Sequence, residues 1–270
     1  MSGPVVERIG ALNRVLDGMR RVAVAVSGGV DSVTLACAAH RQLGNGATMF
    51  HAVSPAVPPE ATERTRQHAE RFGWKLEIVD AGEFLDPEYL RNPVDRCFFC
   101  KSSLYGTIAR RSSDTIVSGT NLDDLADFRP GLRAAANHQV RHPYVETRID
   151  KAMVRAIARA FDLGDMADLP ASPCLSSRIE TGIAVDAPTL SLVHAVEKFV
   201  GQSLQTETVR CRVRRSGIVI ELDGPAFERV VRERNDRLRE ELGQLCAARG
   251  FPGTARFERY AMGSAFLRDQ

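Results

Sequence analysis

The chain has 270 residues, 44% of them hydrophobic and 26% charged, with 36 basic against 34 acidic side chains for a net charge of +2. That length suits one large domain or two modest ones, and the near-balance of charge excludes a general nucleic-acid or membrane-surface binder. No apolar run approaches the ~20 residues of a membrane span, and the amino terminus lacks the basic-then-apolar pattern of a secretory signal, so a cytoplasmic protein with no membrane partner is expected.

Arg21 to Val26 is a short β-branched run without polar interruption, the pattern of a strand buried on both faces. It ends at Ser27-Gly28-Gly29-Val30-Asp31-Ser32, and an apolar helical pattern continues to about Leu43, where Gly44-Asn45-Gly46 stops it. Ala47 to Val53 reads as a second strand, Pro58-Pro59-Glu60 opens a helix to about Phe72, and Trp74 to Val79 is a third strand. A helix from Cys97 to Arg111 and a strand Thr115 to Ser118 follow, and Asp150 caps a helix with the apolar stripe Met153, Ile157, Ala160 and Phe161. The regular alternation predicts an α/β fold with a doubly wound parallel sheet.

From residue 167 to 186 the chain is rich in Pro, Ser and Asp, and the domain boundary is drawn there: 1–185 as the first domain and 186–270 as the second. The second reads as a smaller α+β domain, for substrate or for assembly. Its elements are a helix (Ala187 to Val200), strands at Thr206 to Val213 and Gly217 to Leu222, a helix from Pro225 to about Arg249, and a strand at Thr254 to Tyr260.

The hexapeptide at 27–32 joins a buried strand to a helix start, where free N–H groups and the positive dipole end favour an anion. Gly28 and Gly29 let backbone amides approach phosphate oxygens, Ser27 and Ser32 add hydroxyls, and Asp31 is a partner for Mg²⁺. No lysine follows the glycines, so this is not a Walker A loop. The loop resembles the PP-loop of the ATP pyrophosphatases, which implies ATP cleaved between its α and β phosphates to adenylate a substrate oxygen.

Of the six cysteines, Cys37, Cys211 and Cys246 sit singly in apolar pattern and read as small buried hydrophobes. Cys97-Phe98-Phe99-Cys100 alone could be a redox pair, half a zinc site or two ligands of an iron–sulfur cluster, and Cys174 lies in Ser172-Pro173-Cys174-Leu175-Ser176-Ser177-Arg178.

Arg96-Cys97-Phe98-Phe99-Cys100-Lys101, the tract from Ser118 to Arg133, the Cys174 motif and the run from Asp150 to Arg159 together resemble one PP-loop family, from residue 21 to about 217. It is the LarE-type sulfur transferase family of nickel-pincer nucleotide biosynthesis. One kind of member has a single cysteine in the Pro-Cys-Leu motif and sacrifices its sulfur. The other has three, at the positions of Cys97, Cys100 and Cys174, and this chain is of that kind. The resemblance implies a [4Fe–4S] cluster held by Cys97, Cys100 and Cys174, whose open iron carries a transferable sulfide.

It further implies Thr120, Asn121 and Asp124 on the nucleotide or metal side and Arg178, Arg212, Arg214 and Glu197 around the phosphate of a mononucleotide substrate; Lys101, directly after the C-x-x-C, is a further catalytic candidate. Arg212 and Arg214 alternate along a strand, so both heads leave one face. Lys101 is one of only four lysines beside thirty-two arginines. After Arg178 the chain reads Ile179-Glu180-Thr181-Gly182-Ile183, where the family more often has Ile-Pro, an aromatic residue and Gly. The expected reaction is ATP-dependent, Mg²⁺-assisted conversion of a pyridinium carboxylate mononucleotide to a thiocarboxylate, with a separate sulfide donor and a homo-oligomeric enzyme. A tRNA-thiolating PP-loop enzyme would want a basic surface or an added RNA-binding module, which the sequence does not offer. An amide-forming PP-loop synthetase would leave the cysteines without a role.

Overall fold

The computed structural model describes residues 3–126, 129–170, 172–232, 235–251 and 255–266. They divide into two compact units, Met1–Glu83 with Asp95–Ser172, and Phe84–Val94 with Pro173–Gln270. The division at Ser172 and Pro173 falls inside the Pro- and Ser-rich stretch, upstream of the boundary drawn at 185, and the excursion at 84–94 has no compositional signal.

Along the chain, α1 (Gly3–Met19) precedes β1 (Val22–Ala25), α2 (Val30–Leu43), β2 (Ala47–Ala52), α3 (Pro59–Phe72) and β3 (Lys75–Val79). The excursion carries the short α4 (Pro87–Leu90). The first unit resumes with α5 (Arg96–Arg111), β4 (Thr115–Ser118), α6 (Pro130–Asn137), α7 (Pro143–Glu146) and α8 (Lys151–Ala160). Its strands pair in parallel in the order β3-β2-β1-β4, the doubly wound arrangement expected.

All four residues of the central β1 are buried. Because side chains alternate across a strand, Val22 and Val24 enter the core formed with α1, α2 and α8, while Ala23 and Ala25 enter the one with α5 and α6. The small alanines admit Phe50, Tyr105 and Ile108 on that second face. Helix α1 escaped the sequence reading; Leu12 and Leu16 are its fully buried contributions, each worth roughly 1.5–3 kcal/mol of transfer free energy.

In the second unit, α9 (Ala187–Leu204), β5 (Val209–Arg214), β6 (Gly217–Leu222), α10 (Gly224–Arg232), α11 (Asp236–Ala247) and β7 (Arg256–Arg259) form the separate α+β domain. β5 and β6 pair antiparallel, and β7 joins β6 in parallel. The single helix expected from 225 to 249 is two, because the Asn235 side chain caps a fresh start by accepting from the Leu238 N–H at 3.4 Å. Thr254, where the last strand was expected to begin, lies outside the described residues. Among the described residues no helix is long and apolar enough to cross a membrane.

Candidate active site

The loop 27–32 leaves the carboxyl end of β1, where open parallel sheets place ligands. Gly28 has φ +80°, and a Cβ there would stand 2.6 Å from the Ala61 carbonyl oxygen of α3. Glycine is needed on both counts. The Ser32 hydroxyl accepts the Ser27 N–H at 3.0 Å and donates to the Gly29 carbonyl at 3.1 Å, and it lies 3.1 Å from Ser27 Oγ. Ser32 is thus buried in shaping the loop while Ser27 is exposed. Gly29 caps α2 without any side-chain hydrogen bond, so the first-turn amides of the helix are not taken by a cap and are suited to an anion.

Asp31 is the hub. Its Oδ1 accepts from Asn121 Nδ2 at 3.1 Å, its Oδ2 pairs with Lys151 Nζ at 2.5 Å, and its carbonyl accepts the Tyr144 hydroxyl at 3.1 Å. Burial, and next the Asp31 charge, hold the Tyr144 phenol well above its ordinary range, so it stays protonated and donating. The loop after β4 closes on the same point: a Cβ on Gly119 would lie 2.9 Å from the Asp31 carbonyl carbon and from the Ser32 nitrogen. Asp124 accepts the Asn121 N–H at 3.0 Å and pairs with Arg129 at 2.6 Å. Thr120 Oγ1 lies 3.1 Å from Ser118 Oγ, itself 2.9 Å from His142 Nδ1. The structure therefore gathers Ser27, Gly28, Gly29, Asp31, Ser32, Asn121 and Asp124 at one place, with Thr120 adjoining.

Lys151 was missed as a site residue. The signal was its place directly after the Asp150 cap of α8, in a chain with four lysines. Mg²⁺ beside phosphates is held through one or two carboxylates, and Asp31 puts a carboxylate in the first turn of α2.

Cys97 and Cys100 stand on the opening turns of α5, half-buried. Helix α6 lies against that helix, and a Cβ on Gly131 would be 3.1 Å from Lys101 Cγ and 3.7 Å from the Cys97 carbonyl. Arg133 stacks 4.2 Å over the Phe98 ring and pairs with Asp95 at 2.7 Å. The end of the tract from Ser118 to Arg133 therefore braces the cysteine helix; Asp127 and Phe128 of that tract lie outside the described residues. Lys101 Nζ lies 5.8 Å from the Tyr105 ring centre.

Cys174 belongs to the second unit and is exposed, at the start of a 3₁₀ turn Leu175–Arg178. None of the six cysteines is in a disulfide, and Cys37, Cys211 and Cys246 are buried as expected. Burial pushes the Cys37 thiol up to about 11 and the Cys211 thiol well above its ordinary value. Among the described residues no group of three or more His, Cys, Asp or Glu side chains forms a metal site. Thiolates, the donors that Cys97, Cys100 and Cys174 can each supply, are the ligands that iron–sulfur chemistry uses.

The arginines expected around the substrate phosphate are heavily committed inside the second unit. Arg178 Nε and one terminal nitrogen grip both oxygens of Glu197 at 2.8 and 3.0 Å. Burial works against its charge and Glu197 more than offsets it, holding the guanidinium above its ordinary range. Arg212 gives Nε to Glu221 at 2.9 Å and a terminal N–H to the Ser177 carbonyl at 3.1 Å. Arg214 binds Glu221 at 2.8 Å and Glu258 at 2.9 Å, but its buried Nε has no acceptor among the described residues. Glu180 N–H donates to the Val213 carbonyl at 2.9 Å, a bond that the family's proline could not make.

No family model matches the chain. It is 35% identical over 226 residues to an uncharacterized protein of Synechocystis sp., covering 82% of this chain and 84% of that one. It is 29% identical over 212 residues to the pyridinium-3,5-bisthiocarboxylic acid mononucleotide synthase of Lactiplantibacillus plantarum, covering 77% and 76% of the two chains. A glutamine-hydrolyzing GMP synthase component of Methanopyrus kandleri is 29% identical over 178 residues, 60% of this chain and 55% of the other. With the PP-loop, the doubly wound sheet and the Cys174 motif, these likenesses show that the chain belongs to the LarE-type family of PP-loop enzymes.

Proposed function

We propose that the protein is an ATP-dependent sulfur transferase that adenylates the carboxylate of a pyridinium carboxylate mononucleotide and converts it to a thiocarboxylate. The observation that carries this reading is the Asp31 hub, where the uncapped start of α2, Asn121 and Lys151 meet, in a chain that also presents the exposed Cys174. The first-turn amides of α2 would hold the phosphates, with Ser27 adding its hydroxyl. Asp31 would hold Mg²⁺, and Lys151, released from Asp31, would answer the charge of the departing pyrophosphate. Thr120, Asn121 and Asp124 keep the opposite wall in register.

Carboxylate oxygen is a poor leaving group and AMP a good one, so adenylation prepares the acceptor carbon for sulfur. Cys97, Cys100 and Cys174 would hold a [4Fe–4S] cluster. When bound, a cluster on three thiolates leaves one iron open for the sulfide that is delivered. Lys101, next to Cys100, supplies a cation beside that sulfur. Arg214, with its spare Nε–H, is the side chain best suited to the acceptor's phosphate, while Arg178, Arg212 and Glu197 are held in internal pairs.

The test is product analysis with ATP, Mg²⁺ and nicotinate mononucleotide, a pyridinium carboxylate mononucleotide. AMP and pyrophosphate in equal amounts are expected, and steady release of ADP and phosphate contradicts the reading.

A further inference from the structure

The turn that carries Cys174 is unusual in how it is held. Cys174 is exposed, yet Leu175, Ser176, Ser177 and Arg178 after it are all buried. One terminal nitrogen of Arg178 donates to the Pro173 carbonyl at 2.7 Å, the Cys174 carbonyl at 3.2 Å and Ser177 Oγ at 2.9 Å. The rest of the same guanidinium grips Glu197 of α9, and Glu197 Oε1 also accepts the Cys211 N–H of β5 at 2.9 Å. From the other side, the Tyr89 hydroxyl lies 2.7 Å from Ser176 Oγ. Asn92, fully buried with φ +56°, donates its side-chain amide to the Glu180 and Ile183 carbonyls, each at 2.9 Å.

We propose that Arg178 and Glu197 are positioning residues for the Cys174 thiol, with Tyr89 and Asn92 completing the frame, and that they do not bind the acceptor's phosphate. An exposed thiol on a fixed backbone is pre-organised: its sulfur presents one geometry without ordering cost at each turnover. The Arg178 guanidinium is itself buried, and its donors already meet a bidentate carboxylate and three oxygens of the turn, so to take a phosphate it would have to abandon the part-buried Glu197. The left-handed Asn92 is explained in the same way, as backbone strain retained where the surrounding bonds require it. The frame deepens the sulfur-transfer reading, which gives Cys174 its role, but its own geometry is independent of that chemistry.

The experiment measures amide hydrogen exchange and nicotinate mononucleotide affinity for Arg178→Gln, Glu197→Gln and Tyr89→Phe, each beside the wild type. The Ser177 and Ile179 amides, which bond the Cys174 and Ser176 carbonyls, should exchange on the order of tenfold faster in the first two variants, since a charge-assisted bond is lost. Affinity should stay within about twofold. In sulfur transfer, kcat should fall by about tenfold or more with KM nearly unchanged, the split that marks lost positioning. Unchanged exchange, or affinity falling by about tenfold or more, overturns the proposal and returns Arg178 to the phosphate. Should the Arg178 and Glu197 variants not fold, Tyr89→Phe decides: about threefold faster exchange at Ile179 is expected for loss of one neutral bond, and no change overturns the frame. Exchange and affinity need no sulfur chemistry, so a protein found not to transfer sulfur leaves this test standing.

Discussion

Asp31 and Glu221 show how differently two carboxylates can be used. Asp31 is partly accessible and shares its oxygens between Asn121 and Lys151, so its charge can be handed to a metal or a phosphate-bound cation. Asp31→Asn should keep the Asn121 contact and lose ATP cleavage on the order of a hundredfold, read as pyrophosphate release. Glu221 is almost fully buried and accepts from Arg212, Arg214 and Ser264. Removing Arg212 leaves Glu221 under-compensated, so Arg212→Ala should cost about 3–5 kcal/mol of folding stability, seen as a lowered Tm. Arg214→Ala leaves the Arg212 pair in place, and its main effect should be a weaker hold on the mononucleotide, about tenfold or more in Kd. The sequence reading expected both arginines to act alike on the acceptor, because alternation gives a face and not what else occupies that face.

At the scale of elements, the histidine on β2 ties three pieces together. His51 is fully buried, with Nδ1 2.9 Å from the Val26 carbonyl and Nε2 2.9 Å from Thr62 Oγ1 of α3. Burial lowers its pKa from 6.5, and burial likewise lowers those of His68 and His142. The unfolded chain therefore takes up protons that the folded chain resists. Stability should be full above 6.5 and decline as pH falls through that value toward the depressed folded-state values. Denaturant titrations between pH 7.5 and 5.5, values chosen to bracket roughly that range, should show the decline, and His51→Gln should shrink its slope. Strands and the helices between them were legible because their periodicity is local: β1, β2, β3, β4 and the Asp150 cap lie where alternation and capping residues put them. The excursion at 84–94 was not, because its membership of the second unit rests on Tyr89 and Asn92 meeting residues about ninety positions away. The role of Gly131 was equally hidden, since a small residue matters there only for what lies against it.

Across the whole molecule, the six thiols sort by exposure in a way that chemistry can read. Cys97, Cys100 and Cys174 are accessible to some degree, and Cys37, Cys211 and Cys246 are buried. Brief alkylation of the metal-free protein followed by peptide mass analysis should label the first three and spare the others; rapid labelling of Cys211 would contradict the second-unit core. The geometry of the loop at 27–32 was legible because Gly28 is left-handed and Gly29 and Asp31 open a helix. The substrate side was less so, since committed and available arginines look the same in a sequence.

The proposed sulfur transfer needs Cys97, Cys100 and Cys174 together. The most direct measurement is anaerobic sulfur transfer to the mononucleotide by Cys97→Ala, Cys100→Ala and Cys174→Ala, with iron analysis and intact-mass analysis of each protein after reaction. The account predicts that all three variants lose iron and transfer together, and that the wild type, supplied with sulfide, turns over repeatedly with its own cysteines intact. Transfer surviving in the Cys97 and Cys100 variants, with dehydroalanine left at position 174, would contradict it.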